Sequence, residues 1–194
     1  MGYLDLSQLK SLGLAAFGED VLISDRASIY NAAAIKLGSH IRIDDFCILS
    51  AGLGGIVLGD HIHIAAYTSL IGAGRITLND FSGMSSRVSI YSSSDDYSGA
   101  TMTNPTISEK YKNLHVEDVV IGRHVIVGCG SVVLPGATLG EGVAVGALSL
   151  VTGDCAPFGI YVGAPARRVR ERSRDLLAVE ARFLTDRAAA RLSR

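Results

Sequence analysis

Residues 119–155 read VVIGRHVIVGCGSVVLPGATLGEGVAVGALSLVTGDC. Taking every sixth residue from Ile121 gives Ile121, Val127, Val133, Leu139, Val145 and Val151, branched aliphatics without exception. A period of six is neither the 2 of a half-buried strand nor the 3.6 of a helix. Four places after each aliphatic stands a small or β-branched residue: Val125, Ser131, Ala137, Val143, Ser149 and Cys155. Glycines follow several of the aliphatics directly, as at Gly122, Gly128, Gly140 and Gly146. The pattern is a hexapeptide repeat and predicts a parallel β-helix, an all-β solenoid. Each aliphatic points into a narrow prism and stacks on its equivalents about 4.8 Å above and below, the spacing of neighbouring strands. One coil cannot bury its inward face alone, so several must stack and the ends must be capped.

The rhythm extends upstream. Ile23, Ile29 and Ile35 form one set of three, followed after a phase shift by Leu37, Ile43 and Leu49. The insertion AGLGGIV precedes Leu58, Ile64 and Leu70, and a further shift precedes Leu78, Met84 and Ile90. Three hexads make a triangular coil of 18 residues, which predicts six coils, four before residue 91 and two after 118. Between them, residues 91–118 (YSSSDDYSGATMTNPTISEKYKNLHVED) lose the rhythm entirely. A loop of that length inside a compact domain is functional or disordered, and its flanks require it to leave one corner and return nearby.

The organisation is therefore a lead-in over 1–20, a β-helix over 21–155 with the loop extruded, and a C-terminal cap and helix over 156–194. In the lead-in, Leu6, Leu9 and Leu12 predict a short helix with Ser7 as cap and Gly13 as stop. At the other end Pro157 and Pro165 terminate the coils. Beyond them Leu177, Ala181, Leu184, Ala188 and Leu192 form an apolar stripe, with Leu176, Val179 and Phe183 beside it. This amphipathic helix is expected to cover the last coil or to pack between subunits.

Hydrophobic residues make up 48% of the 194 residues against 6% aromatic, with no tryptophan, a balance that suits thin aliphatic layers. A net charge of −1 argues against nucleic-acid binding over the whole surface. Residues 167–194 nevertheless hold nine arginines against four acidic residues, an excess that asks for a local purpose. The three cysteines lack metal-ligand spacing, and Cys47 and Cys155 fall on small inward positions, as buried thiols of a reducing compartment would. No signal pattern and no apolar run near 18 residues is present, so the chain is expected to be soluble and cytoplasmic, without a membrane span.

The repeats, the single long loop and the ending GALSLVTGDCAPFGIYVGAPARRVR resemble the left-handed β-helix acyltransferases of the hexapeptide-repeat class. In pattern the chain looks like the galactoside/maltose-type O-acetyltransferases and the sugar acetyltransferases of surface-polysaccharide pathways, over residues 21–172. The resemblance implies a homotrimer, with acetyl-CoA lying between two prisms as co-substrate, a sugar or nucleotide-sugar acceptor, and no metal. It places backbone amides at Cys129 and Ala147 on the pantetheine arm, the Thr152 hydroxyl beside it, and Arg167 and Arg170 near the nucleotide end. The chemistry agrees, because an arginine fork just past the last coil supplies charge-assisted bonds to the phosphates of coenzyme A.

The acceptor side departs from that pattern. Where galactoside-type relatives carry a catalytic histidine in the loop, this chain has Asp95, with Asp96 and Tyr97 next to it. A carboxylate near its reference pKa is a weak base for a sugar hydroxyl unless desolvation or a neighbouring carboxylate raises it. Asp96 is adjacent in sequence, although neighbouring residues of an extended segment point apart, and His115, late in the loop, is the second candidate for the proton; Asp96 and Tyr97, with Tyr67, are the residues expected to bind the acceptor. Tyr67 stands where relatives have an asparagine lining the acceptor pocket, and Ile126 where many have tryptophan. An amine attacks a thioester without a strong base, so the missing histidine shifts weight toward N-acylation.

Of the other histidines, His40, His61 and His124 occupy equivalent corner positions along one edge, and His63 faces outward on a flat side. Two further readings remain at this point. One is a trimeric β-helix scaffold that has lost its base. The other is a zinc-dependent carbonic-anhydrase-like β-helix, which needs three converging histidines, whereas only His61 and His63 fall close together.

Overall fold

The computed structural model describes residues 2–192, with side chains from 2 to 190. The backbone winds into a parallel solenoid with three faces. The first face stacks Val21–Ile23, Ile41–Ile43, Ile62–Ile64, Gly83–Met84, Ile126–Val127, Ala144–Val145 and Gly159–Val162. The second stacks six strands, from Ser28–Tyr30 to Leu150–Val151, and the third five, from Ile35–Leu37 to Thr138–Leu139. The six expected coils are thus followed by a seventh, partial one.

The sixfold aliphatics form the core. Ile121, Val127, Val133 and Leu139 are fully buried, and Val145 and Val151 nearly so. Register carries the stack upward, with Val133 beside Ile90 on one side and Val151 on the other. The small residues four places on also point inward, which confirms Cys47 and Cys155 as interior thiols. Burial pushes both thiols up to about 11, so neither is a nucleophile near neutrality.

Three expectations change. Ile35 and Leu37 do not divide two coils; both point inward from one strand, with Lys36 between them facing solvent. The long loop does not separate two coils either. It interrupts the fourth, leaving after Ser89–Tyr91 and returning into Val119–Ile121, whose register with Ile76–Leu78 is unbroken. The first helix, α1 (Leu6–Ser11), is capped by Asp5 in a reciprocal box with Gln8 rather than by Ser7. Leu9 from α1 is buried on the first coil, and Leu4 donates to the Ile23 carbonyl at 2.9 Å.

The far end is closed by a strand. Arg167–Glu171 pairs antiparallel with Gly159–Val162, and Ala166 donates to the Leu150 carbonyl at 2.7 Å. The C-terminal helix α2 (Asp175–Leu192) therefore does not cap the last coil. It climbs the corner between the third and first faces, where His40, His61, Phe81 and His124 all adopt φ of 58–59°. Their rings stack at 4.6, 4.8 and 5.1 Å, one per coil; the sequence placed the three histidines on this edge, and Phe81 completes the row. Phe183 of α2 meets His61 and Phe81 edge-on, and Arg187 lies 2.6 Å from Nε2 of both His61 and His40. Glu180 takes a hydrogen bond from His124 at 2.7 Å and pairs with Arg123. The apolar stripe expected on α2 does not dock: Ala181, Leu184 and Ala188 are exposed, Leu177 is half-buried, and the Leu192 side chain lies outside the described residues.

Arg172 ties the start of this segment down. Its Nη1 donates to the carbonyls of His124 at 2.8 Å and Gly142 at 3.0 Å, and burial lowers its pKa. Arg172→Met is expected to cost about 2–3 kcal/mol, because it strips charged donors from two corner carbonyls. A differential scanning melt should show the midpoint down by roughly 5–10 °C; an unmoved midpoint would show that water replaces the guanidinium at no cost.

Candidate active site

Of the residues expected to hold coenzyme A, Cys129 and Ala147 line one corner, between the first and second faces, whereas Thr152 follows Val151 at the other end of the second face. Cys129 and Ala147 are exposed on successive coils, joined by Leu148 N–H donating to the Cys129 carbonyl at 2.9 Å. Gly128 lets the two coils approach backbone to backbone: a Cβ there would lie 2.5 Å from the Ala147 nitrogen. Below, Thr152 and Arg167 share a small concavity of about 180 Å³ with Asp154 and Tyr161. Arg170 is exposed on the antiparallel edge strand. Arg168 is paired with Glu171, whereas Arg167 and Arg170 have no carboxylate partner among the described residues. The local excess of arginine thus includes two guanidinium groups free to meet an anion.

The loop carries both candidates. Ser93–Ser94 pairs antiparallel with His115–Val116, so His115 sits opposite Ser94, the residue before exposed Asp95. His115 Nε2 lies 3.6 Å from the Glu117 carboxylate. The loop is anchored where it enters and leaves, by the Ser92 hydroxyl on the Gly74 carbonyl at 2.7 Å and by Arg75 N–H on Asp118 at 2.7 Å. Asp96 does not act as expected. It accepts from the Ser98 amide and the Thr101 hydroxyl, both at 2.8 Å, and those bonds lower its pKa. It holds the turn of the loop. Tyr97 is 93% exposed.

Asp95 and His115 lie at the corner between the second and third faces, whereas Cys129 and Ala147 lie at the opposite end of the second face. Within one chain the residues therefore form two groups, separated by the width of a strand.

Tyr67 shares the Cys129 corner, two coils higher. Its ring stacks on Phe46 at 5.0 Å and under the Arg87 guanidinium at 5.1 Å. Beside this column a groove of about 330 Å³ runs over the first face, lined by His63, Ala65, Gly83, Ser85, Ser86 and Ile126. His63 Nε2 is 2.8 Å from Asp44, which Arg42 holds from the other side at 2.7 Å. Burial alone would raise the Asp44 carboxyl; the bonds from His63 and Arg42 outweigh it and hold the group below its ordinary range. Sequence reading placed His63 on an open face but found neither Gly83 nor the serines. The one signal was the fall from His63 to glycine in the outward row of that face. His61 and His63 point to different surfaces and do not converge on a metal.

Residues 118–153 match the family described as bacterial transferase hexapeptide (six repeats). The chain is 53% identical over 183 residues to the dTDP-4-amino-4,6-dideoxy-D-glucose acyltransferase of Escherichia coli, covering 94% of this chain and 95% of the relative. It belongs to the hexapeptide-repeat acyltransferases. A more distant member, the putative lipopolysaccharide biosynthesis O-acetyl transferase WbbJ of E. coli K12, is 29% identical over 74% of each chain. Among solved structures of this acyltransferase family, AntD, an N-acyltransferase from Bacillus cereus in complex with dTDP and 3-hydroxybutyryl-CoA, superposes with a TM-score of 0.91. It is 42% identical, over 96% of this chain and 98% of AntD. The agreement spans the solenoid, the loop and α2 together, so it concerns the whole acyltransferase.

Proposed function

We propose that this acyltransferase moves an acyl group from an acyl-CoA, acetyl-CoA in the simplest case, to the amino group of a dTDP-linked amino sugar. The observation that carries this reading is 53% identity, along almost the whole chain, to an enzyme named for that acceptor. The unpaired Arg167 and Arg170 below the Cys129–Ala147 wall suit the phosphates of coenzyme A. Both co-substrates are cytoplasmic metabolites, and among the described residues no helix is long and apolar enough to cross a membrane.

The division of the site into two corners supports a homotrimer, in which the loop of one copy meets the CoA wall of the next. In such a cleft the acceptor nitrogen attacks the thioester carbonyl and a C–N bond forms. The oxyanion is held by a backbone amide of the wall. As the C–S bond breaks, the electron pair leaves on sulfur, and the proton lost from nitrogen passes by way of Asp95 to the CoA thiolate. Asp95 also attracts and orients the amine, with His115 as its flanking group. The exposed Asp95 carboxylate suits this lighter duty better than deprotonation of a hydroxyl.

The test is thiol release from acetyl-CoA in the presence of dTDP-4-amino-4,6-dideoxyglucose. Saturable turnover is expected, and none with the matching 4-hydroxy sugar nucleotide. Asp95→Asn should lower kcat/KM by about 10–100-fold, at the modest end of proton-transfer effects, with acetyl-CoA affinity unchanged. Wild-type rates in that variant would remove Asp95 from the reaction, and no turnover of any sugar nucleotide by the native protein would refute the function.

A further inference from the structure

Leu53 is 104% exposed, more open than any other large apolar side chain among the described residues. It stands at the tip of the turn that follows Ile48–Ala51, at the corner between the second and third faces. The turn is held firmly. Gly52 N–H donates to the Gly72 carbonyl and Gly54 N–H to the Ala73 carbonyl, each at 2.9 Å. The two glycines let it sit directly on the next coil: a Cβ on Gly52 would lie 2.6 Å from the Ala73 Cα, and one on Gly54 would lie 2.2 Å from the Arg75 nitrogen. The chain thus presents a leucine to water on a braced backbone, which loses little ordering entropy when a partner covers it.

At the other end of the same strand, Phe46 is exposed and stacks on the exposed ring of Tyr67. The face between these two corners is also distinctive. Its six strands contain no charged residue, whereas Arg42 stands outward on the first face and Lys36 on the third. One outward row of the second face runs Ser28, Ile48, Ser69, Ser89, Val132, Leu150, each in register with the next. Depletion of charge with small and aliphatic residues in its place is the composition of an interface centre. Charge returns only at the corners, and there it is complementary. On the fourth coil Arg87, without a carboxylate partner among the described residues, stands at one end of the face, and Asp95 and Glu117 stand at the other.

A second copy of the chain satisfies all of these features. Leu53 and Phe46 lie on the same coil, so they are level along the solenoid. Rotation about an axis parallel to the solenoid preserves that level and brings the Leu53 corner of one copy against the Phe46 corner of the next. Such a head-to-tail contact closes into a ring, and a three-sided prism that turns one face inward gives a ring of three. We propose that Leu53 is a knob seated on the Phe46–Tyr67 ring pair of the neighbouring copy, with the uncharged second face turned to the threefold axis. The assignment rests on the homotrimer of the preceding section and fixes which residues meet in it. The same rotation sets Thr152 of one copy level with Ala147 of the next, so residues that a single chain holds apart come to one cleft.

Sedimentation velocity over a concentration series tests the contact with four proteins: native, Leu53→Glu, Phe46→Lys, and the chain carrying both changes. Each single variant is expected to raise the concentration of half-dissociation about ten-fold or more, the scale on which loss of a buried anchor weakens a contact. Far-ultraviolet circular dichroism should stay native in Leu53→Glu, because that side chain packs on nothing in its own chain. The double variant should associate about ten-fold more tightly than either single one, since the two new charges meet across every contact. Native association in both single variants overturns the knob, as does a double variant no tighter than the singles. A native protein that sediments as a monomer refutes the homotrimer of the preceding section itself.

Discussion

Val133→Asp should leave no cooperatively folded protein at room temperature. Val133 is fully buried between Ile90 and Val151, in a column with no polar group to receive a carboxylate. An unpaired charge there must be neutralised or hydrated, at a cost of several kcal/mol. Whole domains are stable by only about 5–15 kcal/mol. In a solenoid each coil is held by its neighbours, so a break at the fifth coil also withdraws support from the sixth and from the strand that closes the end. Circular dichroism should show no melting transition, or one displaced by tens of degrees; a melt at the native midpoint would refute the inward assignment of the sixfold residues.

Glu180→Ala should release α2 while leaving the coils intact. His124 and Glu180 are each only 11% exposed at their side chains, and Arg123 converges on the same carboxylate. Removing the acid leaves a cation and an imidazole facing an empty position, a change of about 3–5 kcal/mol for a buried pair. That loss can be limited by undocking, since among the described residues α2 meets the coils along one edge. Hydrogen exchange should therefore quicken over 175–190 and stay slow in the strands.

Acid should act in the same direction. Burial lowers the pKa of His61, with His40 and Arg187 adding repulsion against Asp60 and Asp80; burial also lowers that of His124, with Arg123 and Arg172 opposing Glu141 and Asp80. The released state thus binds more protons than the docked one, and docking gains stability as pH rises. The contribution is complete above the ordinary imidazole range near 6.5 and is lost as pH falls through the depressed values. His61 can accept from Arg187 only while neutral. Exchange over α2 should quicken between pH 7.5 and 5.5, and equal protection at both would show that the rings do not titrate there.

The solenoid was legible because inward positions repeat and nothing else in the chain competes with a six-residue period. What blurred was phase. Ile35 and Leu37 are two residues apart on one strand, so period 2 within a face imitates a step between coils. The docking side of α2 was illegible for a different reason: Leu176, Glu180, Phe183 and Arg187 form it, and a contact built from an edge-on ring and two ion-bearing side chains leaves no apolar stripe. Asp95 could be named from the family resemblance and His115 from its place in the loop, but the pairing of Ser94 with His115 depends on a hairpin that no local pattern announces.

The strand that ends the solenoid runs against all those before it. A parallel stack is a template: its last rung offers amides and carbonyls in register for another, and two such ends placed together would grow a filament. Arg167–Glu171 reverses the pattern and lays charge along it, while Gly163 and Ala166 close over Leu150. Blocking lengthwise growth favours a flank-to-flank meeting of copies, which is what the proposed homotrimer requires for one copy's loop to face another's wall.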